Sequence, residues 1–112
     1  MTKKPTVREA LRDLAFKQAF SIWETPDEFH QSLQAACPDR TREIELIITA
    51  INCEIVSEMR RLGKALTPSI LMPKLIRWLM RQTTLNHQEA SWVVFSWAMA
   101  LGLIPYVEDD LI

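Results

Sequence analysis

His30 and Cys37 stand seven residues apart on one predicted helix, about two turns, so the two side chains share a side. An imidazole and a thiol so placed are half of a zinc site, or the base and nucleophile of a thiol enzyme. The pattern goes no further. Cys53 is far from Cys37 and in no metal spacing, and His87 lies in the first turn of a later helix beside its cap. The chain has two glycines, Gly63 and Gly102, both at helix stops, so no glycine-rich phosphate loop can form. No serine occupies a nucleophile elbow, and no carboxylate pair is set alone in apolar sequence where two pKa values would be driven apart. No catalytic, metal-ligating or cofactor-binding residue is assigned, and the chain reads as a non-enzyme.

The remaining chemistry is charge. Residues 1–20 carry +3, 21–45 carry −4, 46–85 carry +4 and 86–112 carry −4, although the net charge is only −1. Alternating blocks suit a domain that offers basic and acidic surfaces to a partner, or to another copy head to tail, better than one that wraps a polyanion. The candidate contact residues are the basic set Arg60, Arg61, Lys64, Lys74, Arg77 and Arg81, and the acidic set Glu24, Asp27 and Glu28. Six bases around a tight turn between two helices also resemble a helix-turn-helix, so a small nucleic-acid-binding regulator is the alternative reading. A pI of about 6.1 argues against it, because phosphate binding normally needs a larger positive footprint.

Those residues must be positioned by helices, since no alternating run bounded by hairpin residues marks a strand. Thr6 with Glu9 opens a first helix running to about Trp23, and Thr25-Pro26-Asp27-Glu28 opens a second that stops at Cys37-Pro38. A third, the longest, is predicted from Arg40 to Leu62 on the recurrence of Ile44, Ile47, Ile51, Ile55 and Met59. A fourth opens at Thr67-Pro68, and Pro73 demands either a fresh start at Met72 or a kink. The fifth, Asn86 to Gly102, is apolar on two flanks: Ala90, Val93, Val94, Trp97, Ala98 and Leu101 on one, Trp92, Phe95, Met99 and Leu103 on the other. Such a helix is buried by its neighbours. The expected fold is a single all-α domain over 1–112, a compact five-helix bundle with a buried C-terminal helix, an ordered core of about 6–104 and a loose tail over 105–112.

At 112 residues, with 48% hydrophobic and 24% charged, the chain can build one core without metals or disulfides. It contains no apolar run long enough to span a membrane, and its N-terminus is not a signal peptide, so a cytoplasmic location is expected.

The string Ala90 to Leu103, A-S-W-V-V-F-S-W-A-M-A-L-G-L, resembles the closing motif of small α-helical adaptor domains, called effector-associated or death-like. Bacterial signalling and conflict proteins carry them beside caspase-like peptidases, DnaK-type chaperones, and forkhead-associated and kinase proteins. The resemblance extends to Leu33, Cys37-Pro38-Asp39, Arg42-Glu43-Ile44, Ala50-Ile51, Thr67-Pro68 and Leu75-Ile76, and so covers about residues 33–103. Phe95 departs from it, standing where the family usually has an acid. The resemblance implies adaptor work: docking onto an effector, a chaperone or another helical adaptor domain, itself included.

Overall fold

The computed structural model describes residues 6–18 and 26–105. Six helices follow in order: α1 (Val7–Gln18), α2 (Pro26–Ala36), α3 (Thr41–Asn52), α4 (Ile55–Leu62), α5 (Pro68–Gln82) and α6 (His87–Ala100), with no strand among the described residues. The all-α bundle predicted from periodicity is present, but with six helices rather than five. The expected cap at Thr25, the end of the first helix near Trp23 and the tail beyond Pro105 lie outside the described residues.

The long third helix is two helices, α3 and α4, broken at Cys53-Glu54, where Glu54 adopts a left-handed φ of 62°. Burial explains the break. Ile44, Leu46, Ile47 and Ala50 are buried on α3, and Ile55, Val56 and Met59 on α4. At about 100° per residue a straight helix would keep Ile44, Ile55 and Met59 within about 60° of one another but turn Leu46, Ala50 and Val56 to other sides. The turn at Cys53-Glu54 re-aims the second set into the same core. A left-handed non-glycine residue costs about 1–2 kcal/mol, comparable with the about 1.5–3 kcal/mol that burying one more aliphatic side chain contributes.

Pro73 does not restart its helix, because α5 runs through it from Pro68 to Gln82. The missing N–H deprives only the carbonyl of exposed Ser69, within reach of water, while Leu71, Met72, Leu75, Ile76 and Leu79 are buried on both sides of the proline.

Helix α6 is the post of the bundle. The Asn86 side chain accepts from the Glu89 N–H at 2.8 Å, and the Glu89 carboxylate accepts from the Asn86 N–H at 3.3 Å, the reciprocal box expected at this start. At the far end Gly102 takes φ 76°, and the N–H groups of Gly102 and Leu103 bond the carbonyls of Met99 and Ala98, a Schellman stop. Between the caps Trp92, Val93, Val94, Ser96, Trp97, Ala98 and Met99 are all buried. α6 packs against α1, α3, α4 and α5, and reaches α2 through Trp97, whose ring centre lies 5.7 Å from that of Phe29. The Trp97 indole N–H donates to the Ile47 carbonyl of α3 at 3.2 Å, so even the one polar atom of this buried side chain has a partner.

One buried contact has no counterpart in the periodicity. Arg8 of α1 is buried, its Nε donating to Ser96 Oγ at 2.7 Å and its Nη2 to the Trp92 carbonyl at 3.4 Å, with the guanidinium 5.5 Å from the Trp92 ring centre. The arrangement combines hydrogen bonds with a cation–π contact, and holds α1 on the outer flank of α6.

Candidate docking surface

The predicted contact residues divide by helix. Arg60 and Arg61 sit in the last turn of α4, and Lys64 follows in the link to α5. Arg60 is half-buried, and exposed Arg61 is bound to Glu58 of its own helix, Nη2 to Oε2 at 2.6 Å, which raises the arginine's pKa. Their positive charge is partly answered within α4. Asp27 and Glu28 are exposed in the first turn of α2, where the helix dipole favours acids. Glu24 lies outside the described residues.

Lys74, Arg77 and Arg81 behave differently. All three are exposed on the outer side of α5, and none of their side chains has a hydrogen bond or ion pair among the described residues. α5 contains no acidic residue, whereas each of the other five helices contains at least one. The three cations share a cleft of about 300 Å³ with Trp78 and Gln82. Trp78 is only half-buried and forms part of the cleft wall. An indole beside guanidinium groups suits a ligand bringing both carboxylates and apolar surface.

A second cavity, of about 320 Å³, opens on the other edge of α5, where Met72, Pro73, Ile76, Phe95 and Ile104 make an almost wholly apolar lining. Phe95, the position that departs from the adaptor motif, is half-buried there instead of being sealed in the core. Its spacing with Trp92 and Met99 predicts an inner flank of α6. A phenylalanine at core spacing gives no sign of a gap beside it, because that gap lies between α5, α6 and the chain after α6, which only the fold brings together.

The residues with thiol or metal potential do not assemble. Cys37 is buried, and burial first, then the Glu43 carboxylate, pushes its thiol above the ordinary value, with Arg40 opposing. Cys53 is half-buried, and burial raises it too. Neither is activated towards thiolate chemistry. Among the described residues no three His, Cys, Asp or Glu side chains converge as a metal site requires, and no helix is long and apolar enough to cross a membrane.

Elsewhere the arginines are tied down. Arg42 Nη2 meets Glu89 Oε2 at 2.7 Å, joining α3 to the start of α6, and Arg40 meets the buried Glu43 at 3.3 Å. Comparison with protein-family models, curated proteins and solved structures finds no match to this chain.

Proposed function

We propose that the chain is a non-enzymatic adaptor module that docks another protein through charged helix faces, with the outer side of α5 as its principal contact. The observation that carries the reading is the row Lys74, Arg77 and Arg81, solvent-facing and unanswered among the described residues, on an acid-free helix beside a half-buried tryptophan. Arg60, Arg61 and Lys64 extend the basic surface towards α4, and Glu24, Asp27 and Glu28 supply the acidic counterpart. The death-like resemblance over residues 33–103 supports the same class. It also supplies the setting: a bacterial, cytoplasmic signalling system whose partner is an effector, a chaperone or another helical adaptor domain.

A charge reversal, Arg77→Glu, tests this directly in a pull-down from the native host. Loss of the captured partner, with an unchanged circular-dichroism melt, is the expected result; capture equal to wild type from the triple variant K74E/R77E/R81E sinks the reading. The nucleic-acid alternative uses the same three cations. A mobility-shift series on duplex DNA separates it, because phosphate binding must fall steeply with salt.

A further inference from the structure

The outward stripe of α5 is Ile70, Lys74, Arg77 and Arg81, spaced four, three and four, the spacing of a helix-pairing seam. Ile70, 58% exposed, is the large apolar side chain left outside among the described residues. It stands one turn before the first cation. The outward stripe of α2 is Asp27, Glu28, Gln31 and Ala35, all exposed, with Phe29 and Leu33 buried on its opposite side. Asp27 and Glu28, like the α5 cations, have no ion pair among the described residues. α2 packs on α1 and α3, and α5 on α4 and α6. The two stripes thus belong to different neighbourhoods of the bundle.

Their spacings match when the helices run antiparallel. Arg77 lies seven residues after Ile70, and Glu28 lies seven before Ala35, about 10 Å in each case. Setting Ile70 against Ala35 brings Lys74 level with Gln31 and Arg77 level with Glu28. Asp27 then falls between Arg77 and Arg81. The small Ala35 leaves room for the isoleucine, and each acid meets a guanidinium. We propose that the occupant of the α5 face is the α2 face of a second copy of this chain. This rests on the adaptor reading above and names the partner within it. Donor and acceptor stripes are different surfaces, so the contact is heterologous and one copy offers α5 while its neighbour offers α2. One helix pair with a single apolar anchor makes a small interface, so the association is weak and salt-sensitive.

Sedimentation velocity of the whole chain, from about 10 µM to about 1 mM, covers the range in which weak contacts populate. The wild type should self-associate at low salt and dissociate as salt rises from about 0.01 to about 1 M, where the screening length falls from about 30 to about 3 Å. R77E and E28R should each weaken self-association by about tenfold or more, because each replaces an attraction by a repulsion. Mixed in equal amounts they should form a one-to-one complex, since R77E keeps an intact α2 stripe and E28R an intact α5 stripe. Circular dichroism checks that both variants fold. A wild type that stays monomeric throughout, E28R that associates like wild type, or a mixture that stays monomeric each overturns the proposal. So does loss of association in E108Q/D109N/D110N, which would make the acidic tail the occupant. None of these outcomes touches the pull-down above, so the adaptor reading stands or falls separately.

Discussion

Helices α5 and α6 are neighbours of almost equal length, fifteen and fourteen residues, yet they do opposite work. α6 is buried nearly all round and carries one acid, Glu89, used up in a cap and an ion pair. α5 is buried along one side and keeps three cations in water on the other. The difference separates what holds this protein together from what it offers outward. A side chain removed from α6 should therefore change stability, and one reversed on the outer side of α5 should change association and leave stability alone.

The largest stability effect is expected at Trp97. Trp97→Ala deletes an indole packed on Phe29 and frees the Ile47 carbonyl of its N–H partner, which should cost about 3–5 kcal/mol in urea unfolding. A loss below about 1 kcal/mol would mean that α6 is not the post. Arg8→Ala comes next, at about 1.5–3 kcal/mol, the range for hydrogen bonds made by a charged group. It leaves Ser96 Oγ and the Trp92 carbonyl bonded to each other at 2.6 Å, so the loss should sit nearer the lower end.

Acid titration sharpens the same contrast. Arg42, first, and the Asn86 N–H, second, hold the Glu89 carboxyl below its ordinary value. A folded-state value below the unfolded one means that the stabilisation is complete above the unfolded value and is lost as pH falls through the folded one. Urea midpoints should therefore drop on acidification through the carboxylate range, less steeply in Glu89→Gln; identical slopes in the two proteins would show that this cap does not couple to folding. Smallest of all, R77E should move the melt by no more than about 0.5 kcal/mol. A larger loss would mean that the outer side of α5 belongs to the fold.

Some of this was legible in the residue order alone. Local signals mark the α6 boundaries, because Asn86, Glu89 and Gly102 act through backbone groups only a few positions away. The α4–α5 boundary was legible for the same reason, with Gly63 before it and Thr67-Pro68 after. The spacing of Lys74, Arg77 and Arg81, three and four residues, also puts them on one side of a helix. The break at Glu54 did not, since an aliphatic pattern continues through it and only the shared core requires the second half to turn.

The buried arginine belongs with that break. Arg8 reads as an ordinary exposed charge until α1 is laid on α6, and its partners Ser96 and Trp92 lie more than eighty positions away. The residue order by itself determined helix class, most helix ends and the central place of the tryptophan helix, all effects acting within one or two turns. Only tertiary structure decided which cations stay unanswered among the described residues, where Trp78 and Phe95 border clefts, and how the third predicted helix divides. Those outcomes depend on which side chains distant segments bring to the same place.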